Sequence, residues 1–423
     1  MLAPVRKPPS CQPTGKSIEV DTSIDHAFAS MPLLTHRRDF LKTAALATAV
    51  LPFSSSIMMA KSHPVPGYFR TQKRDGRWWF LDPEGAPFWS VGLNHVDSTT
   101  LRYVENGDLW RDKFGNSMER WLTTVREDMQ AWGFNTLGWN QEVVVINDYN
   151  SNHSRSFTFE EYQWLGLPYC HMLPFIDSHQ WESATRLPDI RSSDFADWCD
   201  YVARDQCARM RDDPKLIGYW FTDCPTWIHE SNRTAWKAPL FDPTDLKTAA
   251  GKRELSDLAM TYYRVTTEAI RRYDPHHLIL GDRYEAMRPL PDEVVQAALP
   301  FVDVLAFQCF GDASVVKEKL DYWANLTGKP VLLADNAVWH PTAHQGWPPR
   351  EDRHLDPAGY AAIHDVLRAM PACIGYHLCG AYGRNRTRRY GLRDEKDLID
   401  PSTAGIAAVN QSTLHWVEEQ TRT

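Results

Sequence analysis

An apolar run from Leu216 to Thr222 breaks at Asp223-Cys224-Pro225, the pattern of a buried strand that ends by delivering a carboxylate to a rim. A carboxyl group so placed can give a proton, take one, or attack an electrophilic carbon. It can also cap a loop through backbone N–H groups. Cys224 beside it would be a nucleophile only if a neighbouring base lowered its pKa, and no Cys/His/Asn constellation accompanies it. A second apolar run, Pro330 to Ala334, ends in the same way at Asp335-Asn336.

The elements that must position these groups repeat along the chain. Helix-period segments at Ser117 to Ala131, Ser193 to Arg211, Glu254 to Tyr273, Ser314 to Leu326 and Pro357 to Met370 alternate with short apolar runs. Those runs begin near Pro87, Phe134, Pro168, Leu216, His277, Val302, Pro330 and Cys373. Eight strands, most preceded by a helix, predict an α/β fold, a closed (β/α)8 TIM barrel. A doubly wound sheet would show a Gly-rich phosphate loop, and the sequence has none. Turn signals at Arg74-Asp75-Gly76 and Asp82-Pro83-Glu84-Gly85 predict an N-terminal β-hairpin feeding the first strand. In such a barrel catalytic groups sit at the C-terminal strand ends. The long connections Asn140 to Leu167 and Pro225 to Lys252 follow strands, so both are expected on that face.

The 423 residues, 43% hydrophobic and 24% charged, suffice for one large core. Residues 61–423 are expected to form a single domain. Before it, His36-Arg37-Arg38-Asp39-Phe40-Leu41-Lys42 precedes an apolar run from Thr43 to Phe53, the pattern of a twin-arginine export signal within residues 1–60. That predicts a periplasmic or secreted protein with no membrane span in the mature chain. Without the signal, 40 basic residues face 50 acidic ones, which argues against nucleic acid as a partner. Seven scattered cysteines remain, without CxxC spacing, and read as buried small hydrophobes. Neither a metal nor an organic cofactor is expected, since ligand-spaced His/Cys clusters and nucleotide loops are lacking.

The chain resembles the agarase-like members of the large retaining glycosidase clan. The resemblance rests on Asp82-Pro83-Glu84-Gly85-Ala86-Pro87-Phe88, Trp132-Gly133-Phe134-Asn135-Thr136, Leu187-Pro188-Asp189-Ile190, Gly218-Tyr219-Trp220-Phe221-Thr222-Asp223 and Gly281-Asp282-Arg283-Tyr284. It implies an exported glycoside hydrolase acting on a polysaccharide or oligosaccharide. Such enzymes use two carboxyl groups, about 5 to 5.5 Å apart for retention and about 6.5 to 9.5 Å for inversion. In the clan they come from strands four and seven. Against the pattern Asn-Glu-Pro, Asp223 takes the Asn place and Cys224 the Glu place. Against Lys-Pro-x-x-x-x-Glu, Lys329-Pro330 leads to Asp335 at the nucleophile position. An Asp/Asp pair is therefore implied, each side chain one methylene short, which leans toward a wider separation. The competing reading is a carbohydrate-binding barrel without catalysis. A family Gly-x-His-Trp is matched by Gly375-Tyr376-His377-Leu378, with the platform Trp lost.

A sugar site also needs flat aromatic faces and fixed polar groups. Asn94, His95, Trp139, Asn140, Asp177, Trp227, Arg283, Glu285, Gln308, Trp339, His377 and Tyr382 are the substrate-binding candidates, with Trp181, Trp220, Asp282, His340 and Trp347 also expected near the rim. Glu285 and Glu230 are alternatives for the missing acid. The run Arg384 to Arg389 is either a solvated loop or a clamp for a carboxylated or sulfated sugar.

Overall fold

A strand with one apolar residue in two can face a closed barrel's interior with half its side chains and the surrounding helices with the rest. In the computed structural model eight parallel strands do this: β1 (Ser90–Leu93), β2 (Thr136–Leu137), β3 (Tyr169–Met172), β4 (Leu216–Asp223), β5 (Leu278–Glu285), β6 (Leu305–Gln308), β7 (Val331–Asn336) and β8 (Cys373–Leu378). They pair in chain order and close, β8 onto β1. The structure describes residues 66–423 apart from 142, 146–150, 154, 177–188, 229–240, 341–352, 387 and 423. The expected export signal, Asp177, Trp181, Glu230 and Trp347 lie outside the described residues.

Among the described residues, eight helices of seven or more residues follow the strands: α1 (Met118–Ala131), α2 (Phe159–Leu165), α3 (Ser193–Met210), α4 (Ala249–Tyr273), α5 (Asp292–Ala298), α6 (Ala313–Thr327), α7 (Pro357–Ala369) and α8 (Thr403–Thr421). Six of these starts carry a side-chain cap; those of α5 and α8 do not. Ser117 accepts from Arg120 N–H, and Asp312 accepts from Ser314 and Val315 N–H. Thr248 caps Gly251 N–H, so α4 begins five residues earlier than its apolar period implies.

Two apolar clusters separate the layers. Ile217, Trp220, Leu278, Leu280, Val304, Ala306, Leu332, Ala334 and Ile374 fill the barrel. Leu216, Tyr219, Phe221, Ile279, Leu305, Leu333 and Tyr376 instead face the helices. The expected hairpin is present: Arg70–Arg74 pairs with Arg77–Leu81, and Pro87–Phe88 adds a third strand. Phe69 and Phe80 join the interior cluster, and Trp78 N–H bonds Pro371 O just before β8, so this sheet closes the N-terminal floor. The C-terminal strand ends open on the opposite mouth.

Candidate active site

Polar side chains reach the mouth because strand alternation is broken there. Leu278 and Leu280 point inward on β5, so the next inward residue should be Asp282. Gly281, at φ +67°, interrupts the β4/β5 register. A bulge of this kind re-aims everything after it. Asp282 consequently faces the helices, accepting bonds from Tyr262 (2.9 Å) and Tyr263 (2.6 Å), and is not part of the rim. Arg283 turns inward instead. A second irregularity, where Phe307 pairs with Leu333 but Gln308 with Asp335, turns Asp335 inward directly after the inward Ala334.

Arg283 is the hub. Its Nε donates to Asp223 Oδ1 at 2.6 Å and its Nη1 lies 3.5 Å from Asp335 Oδ2. The guanidinium stands over Trp139, 4.5 Å from the ring centroid. It is 1% exposed. Burial alone would lower its pKa, but Asp223 and Asp335 more than offset that and hold it charged. Asn94 fixes the other side of Asp335, its Nδ2 donating to Asp335 Oδ1 at 2.6 Å and to Ala334 O at 2.8 Å. Asn94 Oδ1 in turn accepts from Trp139 N–H at 2.8 Å. Burial pushes the Asp335 carboxyl above its ordinary range; Arg283 opposes the rise and Asp223 adds to it.

Below this layer His377 bonds Ser90 Oγ through Nε2 at 2.8 Å, and Ser90 bonds Thr136. Burial, then the charge of Arg283, lowers the His377 pKa to about 3, so the ring is neutral. Its packing leaves no room at two neighbours: a Cβ on Gly92 would stand 2.2 Å from the ring, and one on Gly138 2.1 Å from Asn94 Oδ1. Glu285 ends β5 beside Gln308, whose amide donates to it at 2.5 Å, while Met287 N–H donates to the other oxygen. Burial nevertheless raises the Glu285 pKa, with Asp335 adding to the rise.

Cys224 follows Asp223 in a left-handed conformation, φ 47°, with its thiol 3.3 Å from Asp223 Oδ1. Burial and the neighbouring Asp223 push that thiol up, away from a reactive thiolate. His95, also left-handed at φ 55°, accepts from Arg388 Nη2 at 2.9 Å. His95, Asp335 and Cys379 each offer one atom within 4.8 Å of the others, a set that could hold a soft divalent cation. Arg388 on His95 and Arg283 beside Asp335 place positive charge against two of the three, and burial pushes the Cys379 thiol up to about 12. This donor set suits a cation poorly.

Of the remaining candidates, Asn140 braces the β1 loop by accepting from Val96 N–H at 2.7 Å. Trp220 lies inside the barrel against Trp139 and His377. Trp339 stacks on Tyr390, and His340 pairs with Asp356. Two candidates are not rim groups. Tyr382 packs between Trp121 and Trp132 with its hydroxyl on Asp128 of α1, and Trp227 is buried edge-on to Tyr262 of α4. Leu378, which stands where the family's platform Trp would, packs into the helix-side core. Sequence reasoning passed over Cys379; its place directly after β8, as Asn94 follows β1, was the available signal.

The same barrel architecture is found in known proteins. Over 84% of this chain and 64% of the other, it superposes on the crystal structure of an agarase with a TM-score of 0.61 and 18% identity. The fold is that of the agarases. An exo-beta-agarase matches over 86% of this chain and 66% of its own, with a TM-score of 0.63 and 16% identity. Beta-agarase B of Vibrio sp. (strain JT0107) is 33% identical over 69 residues, 16% of this chain and 7% of that protein. The chain thus spans under two thirds of the agarases it superposes on, and no protein-family profile matches it. At these identities the agarase-like barrel is a likeness of architecture.

Proposed function

We propose that this chain is an exported glycoside hydrolase that cleaves O-glycosidic bonds in a polysaccharide or oligosaccharide, with Asp223 and Asp335 as its carboxylate pair. The observation that carries the reading is Arg283, which contacts both aspartates at the C-terminal mouth of an agarase-like barrel. Asp335, oriented by Asn94 and Arg283, attacks the anomeric carbon or activates a water. Asp223, at the strand-four end, protonates the leaving oxygen. Glu285 is a second reading for the proton donor: a guanidinium contact favours the ionised form of Asp223, whereas burial favours the protonated form of Glu285. Arg37 and Arg38 support export through the twin-arginine route.

The test is a panel of algal and plant glycans offered to the purified mature chain and to Asp335→Asn. Hydrolysis lost by several powers of ten in the variant, with sugar binding kept, is the expected result. Sugar binding without hydrolysis by the unaltered chain would make it a carbohydrate-binding barrel.

A further inference from the structure

The arginines that follow β8 are not equivalent. Arg384 holds Glu395 through Nε and Nη2, at 3.0 and 2.9 Å. Arg386 pairs with Glu105 and lies over Tyr103. Arg393 holds Asp128 at 2.8 and 2.7 Å. The first pair closes the β8 loop on itself, and the other two staple it to the rest of the fold. Arg388 is half-buried and has no carboxylate partner among the described residues. Its single side-chain bond runs from Nη2 to His95 Nε2, a neutral acceptor.

That guanidinium is held in place. Arg388 N–H donates to Asn385 Oδ1 at 2.6 Å, and Asn385 N–H returns a bond to Arg388 O at 2.9 Å. His95 is fixed by backbone bonds to Trp139 O and from Tyr382 N–H, at 3.1 and 3.2 Å. Through His95 the cation adjoins Asp335 and Cys379, whose reactive atoms lie within 4.8 Å of the imidazole. An arginine fork has five N–H donors and matches the two oxygens of an oxyanion. Taking such a charge partly out of water without a counter-ion is unfavourable, and a ligand oxyanion relieves it. The chain carries a net charge of −8, so general attraction for anions is not at work and the preference is local.

We propose that Arg388 is an anion clamp beside Asp335, and that the sugar taken at this end of the mouth carries a carboxylate or sulfate group. The proposal rests on the carbohydrate reading of the site, not on catalysis. A sugar anchored through its oxyanion on Arg388 would present its ring to Asp335, so the clamp selects which residue of a glycan is addressed.

Calorimetric titration of the mature chain with glucuronate, galactose 6-sulfate and neutral galactose tests this directly. At least one anionic sugar should bind ten-fold or more tightly than the neutral one, and which of the two does so distinguishes carboxylate from sulfate. Arg388→Gln should remove that advantage and Arg388→Lys should keep part of it, because charge survives but the fork does not. Arg386→Gln changes the same charge on the same loop against Glu105 and should leave the affinities unaltered. Equal binding of charged and neutral sugars, no binding by either anion, or equal losses in Arg386→Gln and Arg388→Gln would overturn the clamp. Anion binding that depends on Arg388 while no glycan is hydrolysed would overturn the hydrolase reading and leave the clamp standing.

Discussion

Asp223 and Arg283 meet at 2.6 Å on adjacent strands, and the same guanidinium extends to Asp335 at 3.5 Å. One cation thus serves two carboxylates in a place where Arg283 is 1% and Asp335 2% exposed. The arrangement holds only while all three are present, because a buried charge is tolerated through its partners.

Arg283→Ala should therefore be among the most damaging single changes in the mouth. It removes the guanidinium that Asp223 and Asp335 share, at a cost of about 3–5 kcal/mol for a broken buried pair. Thermal melts should show a clear drop, with Arg283→Lys intermediate because its point charge cannot fork to both sides. A melt unchanged in the alanine variant would mean that water solvates both aspartates.

The pH-rate profile should separate the acid from the base. Asp335 must be ionised to act, and its raised pKa puts the acidic limb above the ordinary carboxylate range. If Glu285 gives the proton, Glu285→Gln abolishes the alkaline limb and most of the rate, while Asp223→Asn acts chiefly through Arg283. If Asp223 gives it, the two variants exchange behaviour. Cys224→Ser should be mild in either case, since its thiol stays protonated.

Asp282 predicts a pH-dependent stability that has nothing to do with catalysis. Burial raises its pKa to about 7, although Tyr262 and Tyr263 donate to it. Between its ordinary value near 3.8 and about 7 the folded chain binds a proton that the unfolded chain has released, so this contribution is full below about 3.8 and is lost as pH rises through about 7. The melting temperature of the unaltered chain should fall more between pH 5 and pH 8 than that of Asp282→Asn, about the bounds set by this shift. Parallel curves would show that Asp282 is ionised throughout.

Gly138→Ala tests the packing beneath Asp335. A methyl 2.1 Å from Asn94 Oδ1 and 2.7 Å from His377 Nδ1 must displace one of them. Loss of the Asn94 bond frees the Asp335 carboxylate, and turnover should fall by about a hundredfold or more, as for other ångström-scale misplacements. Retained turnover would show that Asn94 does not orient Asp335.

For export, replacing Arg37 and Arg38 together by Lys should leave the protein in the cytoplasm, read by fractionation and immunoblotting. Undiminished periplasmic yield would exclude the twin-arginine route.

The barrel was legible because its signals are local. The short apolar runs that include Ile217, Leu278, Leu280 and Leu332, the helix-period segments between them, and the turn at Asp82 to Gly85 each act within a few residues. They led to eight strands, a floor hairpin and the strand ends where Asp223 and Asp335 stand. Which polar residue at a strand end turns inward was not local. A one-residue shift moves every following side chain to the other face, and the Gly281 bulge is visible only once β5 is laid against β4. That shift gave Asp282 to the helices and Arg283 to the mouth. In the same way Tyr382 and Trp227 left the rim because Asp128 and Tyr262, far off in the chain, offered them partners, and Arg388 is distinguished from Arg384 and Arg386 only by which of them finds a carboxylate. Contacts between remote segments depend on how whole strands register, and no short stretch of sequence contains that.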